Sequence, residues 1–155
     1  MKAKDIMTTS VLTAKPTDTL SATASILITR RFNGLPVVDD ENRVVGMVAE
    51  RDFLVPDTQL YLPTYIKMLQ DFDFVKNDKK RLPDDVRAVM NAKVEDVMVK
   101  DVVVAHPDDD LNDLAVIFAT KRVNPVPIVD EQNKLIGIIA RSDLIKLFVK
   151  ENIDI

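Results

Sequence analysis

Two aspartates, Asp52 and Asp143, stand just past the ends of matching apolar runs, each three residues beyond an alanine, Ala49 or Ala140. A carboxylate at the point where a strand hands over to a helix can accept two hydrogen bonds from the vicinal hydroxyls of a ribose, as the acidic residue of dinucleotide-binding folds does. The same carboxylate can equally serve only the free N–H groups and positive end of the helix that follows. The residues alone leave both readings open. Arg51, Arg141, Ser142, Lys121 and Arg122 are the nearby groups on which a phosphate would rely, and a buried phosphate without close cations is costly. The flanks differ, Glu50-Arg51 in one place and Arg141-Ser142 in the other, so two sites built here are expected to bind unequally.

Other chemistry finds little support. His106, the single histidine, precedes Pro107 in a polar stretch, where solvation is the plainer role than titration beside a ligand. Asp108-Asp109-Asp110 carry oxygen donors suited to magnesium, but capping a helix and facing water explains them as well. With 3 glycines and no cysteine there is no phosphate-cradling glycine loop, thiolate metal site, disulfide or thiol nucleophile. No Ser-His-Asp set or metal-ligand spacing appears, so no catalytic residue, metal or required cofactor is expected. A net charge of -4 argues against nucleic acid. The N-terminus has no apolar leader and no stretch is long enough to span a membrane, so a cytoplasmic protein is expected.

The elements that must position the two aspartates are duplicated. Met7 and Met98, Pro16 and Pro107, Pro36 and Pro127, Gly46 and Gly137, and Asp52 and Asp143 are all 91 residues apart. The alignment runs without a gap from Ala3 to Leu54 and from Val94 to Ile145, with about a third of positions identical. Each copy predicts a short strand (Val11 to Ala14, Val102 to Ala105) and then a helix capped by Thr19 or Asp110. Its buried face is expected to comprise Leu20, Ala24, Leu27 and Ile28, or Leu111, Ala115 and Phe118. Asn33 and Asn124 are expected as left-handed helix ends. Two apolar strands joined by a polar turn follow, and a closing helix starts beside the aspartate. The unit reads as β-α-β-β-α, and since about fifty residues are marginal alone, two such units packed sheet to sheet would share a core.

Three segments result: 1–54, 94–149 and, between them, 55–93. The last lies outside the repeat and suggests a helical connector with one helix over TYIKMLQDF and another from Pro83-Asp84-Asp85 through Val86, Val89 and Met90. Its load of Tyr61, Tyr65, Met68, Phe72 and Phe74 would also suit a partner or a dimer contact.

The duplicated pattern resembles a tandem pair of CBS domains, the arrangement called a Bateman module. The residues that carry the resemblance are Asp5-Ile6-Met7 with Asp96-Val97-Met98, Leu35-Pro36-Val37-Val38-Asp39 with Val126-Pro127-Ile128-Val129-Asp130, and the two glycine-to-aspartate ends. The resemblance implies an α+β module with pseudo-twofold symmetry and two clefts that take adenosine-containing ligands such as AMP, ADP, ATP or S-adenosylmethionine. In many members it also implies a homodimer. Asp52 and Asp143 would be the aspartate of a Ser/Thr-x-x-Asp motif whose hydroxyl residue is here Ala49 or Ala140. Backbone and apolar walls for the base would be Thr13-Ala14 with Leu35-Pro36, and Val104-Ala105 with Val126-Pro127. Where relatives place a basic residue before the Leu-Pro-Val run, this chain has Asn33-Gly34 and Asn124-Pro125, so an adenosyl group is expected to fit better than a polyphosphate.

The function expected from the resemblance is a ligand-sensing regulatory module, not an enzyme. With only Lys150 to Ile155 after the second repeat, it would act in trans on an unknown protein or serve as a nucleotide sensor or buffer. The alternative is a non-catalytic dimeric scaffold whose clefts are vestigial.

Overall fold

The computed structural model describes residues 1–55, 60–61 and 84–153. In chain order its elements are α1 (Ala3–Ile6), α2 (Leu20–Arg30), β1 (Gly34–Val38), β2 (Val44–Ala49), a 3-10 turn (Glu50–Phe53), β3 (Leu54–Val55), β4 (Leu60–Tyr61), α3 (Asp84–Asn91), α4 (Val94–Val97), α5 (Leu111–Thr120), β5 (Val126–Val129), β6 (Leu135–Ile139) and α6 (Arg141–Ile153).

Each repeat is built on an antiparallel hairpin, β1 with β2 and β5 with β6, Gly34 lying opposite Ala49 and Val126 opposite Ile139. The continuous apolar runs explain β1 and β5, which are buried along their whole length. β2 alternates, with Val44, Gly46 and Val48 buried between half-buried neighbours, the period of a strand with one face on the core. The turns close on Asp39 and Asp130, whose Oδ1 atoms accept the N–H groups of Glu41 and Arg43 and of Gln132 and Lys134. An aspartate at that point satisfies turn donors that no strand can reach.

The fold is α+β, with one antiparallel hairpin in each repeat and a third short antiparallel pairing of β3 with β4, and the repeats exchange their leading segments. Ala3 is wholly buried in the core of the second repeat with Leu114, Phe118, Val126, Ile128 and Ile139, and Ile6 and Met7 pack there too. Val94, with Val97 and Met98, completes the core of the first repeat around Leu20, Leu27, Leu35, Val48 and Phe53. Burying one such valine side chain is worth about 1.5–3 kcal/mol. The chain then bridges to the other hairpin's outer strand, Thr8 to Ile138 and Val99 to Met47. A third cluster joins Val38 and Val44 to Val129 and Leu135. Beside it the turns clasp each other, Asn42 Nδ2 donating to the Leu135 carbonyl at 3.0 Å and Asn133 Nδ2 to that of Val44 at 2.9 Å.

Several expectations need correction. Val11 to Ala14 and Val102 to Ala105 form no strands; only Ala14 and Ala105 bridge to Val37 and Ile128. Pro16 and Pro107 stop further pairing, and Val11, Val102 and Val104 turn instead into the cluster between the repeats. Residue Ala115 is exposed, and Leu114 takes its place in the core one position earlier on the helix. The left-handed residues are Arg31 (φ 55) and Arg122 (φ 52), not Asn33 and Asn124, because both helices end before the asparagines. In the first repeat Phe32 N–H bonds back to Leu27 O and Arg31 N–H to Ile28 O, which closes the helix there. Thr19 caps α2 through Ala22 N–H as expected, whereas Asp110 occupies the cap position of α5 without a side-chain cap bond. Among the described residues the closing helix is found only in the second repeat. In the first it is the four-residue 3-10 turn, since Pro56 holds the chain before it extended.

Of the connector, α3 matches the helix expected from Asp84 and packs beside α2. The helix expected over TYIKMLQDF lies outside the described residues. Among the described residues no helix is long and apolar enough to cross a membrane.

Candidate functional site

The two aspartates are fixed by the backbone before any ligand arrives. Asp52 Oδ2 accepts the Ala49 N–H at 2.7 Å and Asp143 Oδ2 accepts the Ala140 N–H at 2.8 Å, so each carboxylate closes its own strand-to-helix turn. That accounts for one oxygen of each. The other oxygen of Asp143 lies 3.5 Å from Lys146 Nζ, and the side chain is 26% exposed. The cap fixes the orientation of each carboxylate and leaves its second oxygen off the backbone.

Each aspartate lines a cleft made by both repeats. The Asp143 cleft, about 270 Å³, joins Thr8, Ser10, Val11, Leu12, Arg31, Gly34 and Leu35 of the first repeat to Pro125, Ile138, Ala140, Ser142 and Lys146 of the second. The Asp52 cleft, about 340 Å³, joins Met47, Ala49, Glu50 and Arg51 to Val99, Asp101, Val102, Val103, Arg122 and Pro125. Asn33 and Asn124 line both. The swap of leading segments causes this pairing, since Thr8 is bridged to the strand that ends at Asp143 and Val99 to the strand that ends at Asp52.

The exchange sorts the residues singled out from the sequence. Asp143, Ser142 and Leu35 come together in one cleft, and Asp52, Arg51 and Arg122 in the other. Thr13, Ala14, Pro36, Val104, Ala105, Val126 and Pro127 belong to neither lining; Ala14, Ala105 and Val126 are core residues. Arg141 also stays out: its N–H donates to Asn124 Oδ1 and its guanidinium to the Phe118 carbonyl at the end of α5, where a cation suits the helix dipole. Thr8, Ser10, Val11, Leu12, Arg31 and Lys146 in the first cleft, and Met47, Val99 and Asp101 to Val103 in the second, were not singled out. An internal alignment cannot find them, because pairing a segment with its own repeat or with the other leaves the same 91-residue offset.

The remaining candidates have structural partners. His106 Nδ1 is 3.1 Å from the Val129 carbonyl, and His106 lines neither cleft. Asp109 accepts the His106 N–H, while Asp108 accepts from Lys2 and Lys4 at 3.2 and 2.7 Å. The hydrogen bonds from those two lysines hold the Asp108 carboxyl below the ordinary aspartate range, the Lys4 bond first, and Lys4 is pushed up in return. Asp39 is likewise held low, chiefly by the Arg43 N–H and then by its guanidinium. Among the described residues no three acidic or histidine side chains are grouped to hold a metal.

The geometry can be set beside known proteins. The CBS domain model matches residues 3–55 and 94–150. Inosine-5'-monophosphate dehydrogenase of Methanocaldococcus jannaschii is 32% identical over 145 residues, covering 94% of this chain, which spans only 23% of that enzyme. The solved CBS domain pair of protein MJ0100, in complex with 5'-methylthioadenosine and S-adenosyl-L-methionine, superposes with a TM-score of 0.69 at 22% identity, over 97% of this chain and 98% of that one. CBSX2 of Arabidopsis thaliana in complex with AMP gives a TM-score of 0.70 at 23% identity, covering 97% of this chain and 98% of that one. At these identities the two structures speak for the fold.

Proposed function

The chain belongs to the CBS-domain family, with one copy of the domain at residues 3–55 and another at 94–150, and from that premise we propose that it is a regulatory module, not an enzyme, which binds an adenosine-containing ligand between its repeats. The observation that carries the reading is the pair of aspartates, each oriented by a backbone N–H at the wall of a cleft built by both repeats. In this reading the carboxylate oxygen that the backbone N–H leaves free meets the ribose hydroxyls, at Asp143 beside the Lys146 ammonium. The strip Ser10 to Leu12, or Asp101 to Val103, lies against the rest of the nucleoside. AMP, ADP, ATP and S-adenosylmethionine are the candidates, and the CBS pairs solved with AMP and with S-adenosylmethionine support the ligand class.

A ligand that touches both repeats favours the arrangement that it fits best, and that difference in affinity is what can be passed to a regulated protein in trans. We also assign the exposed apolar residues of α5 and α6, Val116, Ile145 and Val149, to contact with a second copy of the chain. Light scattering of the purified protein reads that contact directly.

Titration calorimetry with AMP, ATP and S-adenosylmethionine tests the main reading. Saturable binding that is lost in Asp143→Ala or Asp52→Ala supports it. No binding of any of the three at millimolar concentration sinks it and favours the scaffold with vestigial clefts, the reading that the alanines at 49 and 140 would suit.

A further inference from the structure

We propose that the two clefts sort their ligands by charge, the Asp143 cleft taking the phosphomonoester of an adenosine nucleotide and the Asp52 cleft an adenosine derivative that is cationic at the 5' side. The inference rests on the adenosine reading above and goes beyond it in giving each cleft a different ligand.

It follows from comparing the linings position by position across the 91-residue offset. Thr8 and Ser10 in the first cleft become Val99 and Asp101 in the second, so two hydroxyl donors are replaced by an apolar group and a carboxylate. Lys146 stands in the first cleft, and its counterpart at position 55 is a valine. Ser142 becomes Arg51, and Glu50 joins the second lining while its counterpart Arg141 stays outside the first. Among the described residues the Asp143 cleft thus sets Arg31 and Lys146 against one carboxylate and adds three hydroxyls, those of Thr8, Ser10 and Ser142. The Asp52 cleft sets Arg51 and Arg122 against three carboxylates and has no hydroxyl.

A phosphomonoester carries roughly -1.5 to -2 charges at neutral pH and three acceptor oxygens. The first cleft offers it cations and donors. In the second, Asp101 and Glu50 repel it, and with Asp52 they outnumber the two arginines. The 5' side of S-adenosylmethionine, with a sulfonium and an ammonium against one carboxylate, reverses that preference. Its two cations meet the acidic residues of the second cleft and its carboxylate an arginine there. Arg31 and Arg122 are conserved between the clefts as left-handed residues at the helix ends, so they do not discriminate; Ser10 against Asp101 and Lys146 against Val55 do.

The clefts can be read separately because Ile138 lines only the first and Met47 only the second. Methyl-labelled protein is titrated with adenosine, AMP and S-adenosylmethionine, and the Ile138 and Met47 methyl resonances are followed. AMP is expected to shift Ile138 at concentrations roughly tenfold or more below those that shift Met47, the scale of one charge-assisted hydrogen bond. S-adenosylmethionine is expected to shift Met47 first. Lys146→Gln should weaken AMP relative to adenosine at Ile138 about tenfold, and Asp101→Ser should bring the Met47 response to AMP down towards that of Ile138. Adenosine binding in both clefts, with AMP filling them together or Met47's first, overturns the sorting and leaves the adenosine reading standing. If neither methyl responds to any of the three at millimolar concentration, the adenosine reading itself fails and the sorting falls with it.

Discussion

Met98 lies over Gly46 and Met7 lies over Gly137, in both cases so closely that a Cβ on the glycine would come 2.9 Å from the methionine Cγ. Across the same offset, Ser10 becomes Asp101 and Ser142 becomes Arg51. The two halves of the molecule therefore keep their buried contacts as matched pairs and let the residues that face the clefts diverge. These two contacts are kept because each repeat completes the other's core, although the residues filling the cores differ, Ala24 in the first giving way to Leu114 in the second. The cleft walls are under no such joint constraint, so a duplicated scaffold can hold two unlike sites.

The aspartates show how far duplication can be trusted as a sign of function. Asp5 and Asp96 accept the N–H of Lys2 and Lys93, Asp18 and Asp109 those of Lys15 and His106, and Asp52 and Asp143 those of Ala49 and Ala140. All six close a turn upon a residue three positions earlier. Repetition of an aspartate thus reflects the fold's demand for acceptors, and only the position of the last pair at a cleft marks it as more.

The matched packing can be broken first. Gly46→Val and Gly137→Val each force a side chain into a methionine and should cost about 1–3 kcal/mol, close to equal at the two sites. Urea unfolding measures both. A large loss at one glycine and none at the other would mean that the halves are not equivalently packed. A somewhat smaller effect is expected at the clasp between the turns, where Asn42 (φ 64) and Asn133 (φ 62) combine a left-handed backbone with a bond to the opposite repeat. Alanine at either should cost about 1–2 kcal/mol, from the strained backbone and the lost bond together. Glycine removes the strain alone and should recover part of the loss. No recovery in the glycine variants would show that the bond across the repeats carries the whole effect.

Much of this was legible in the residues, for reasons that have physical limits. The hairpins announce themselves because Leu35 to Val38 and Val126 to Val129 are apolar throughout and end on an aspartate that the turn needs. The repeat fixes their equivalence. What stayed hidden depends on tertiary choice. VLTA and VVVA have the composition of strands, yet only the last residue of each bridges to the hairpin, while Val11, Val102 and Val104 before it fill the space between the repeats. Nothing in the sequence marks Arg31 as a cleft residue; the left-handed turn at the end of the helix puts it there. The shortened end of the first repeat was readable in Pro56, whose effect on the preceding residues stops the helix that its counterpart completes.

The smallest expected effect separates the two leading segments, which dock alike but are not held alike. Ala3 N–H donates to Asp109 O and Val94 N–H to Asp18 O, an equivalent pair of bonds at 2.9 and 2.8 Å. Among the described residues only the first segment has an ionic latch, Lys2 and Lys4 on Asp108, and position 17 in the other copy is a threonine. Asp108 is held below the ordinary aspartate range when folded. A depressed carboxylate contributes its stability in full above the unfolded pKa and loses it as the pH falls through the folded one. Acidification should therefore loosen the Ala3 amide before the Val94 amide, in hydrogen exchange corrected for the intrinsic rate at each pH. In Asp108→Asn the two amides should respond to pH alike. Equal loosening in the unaltered protein would mean that the latch, exposed on both sides, is screened by solvent and holds nothing that the buried Ala3 does not already hold.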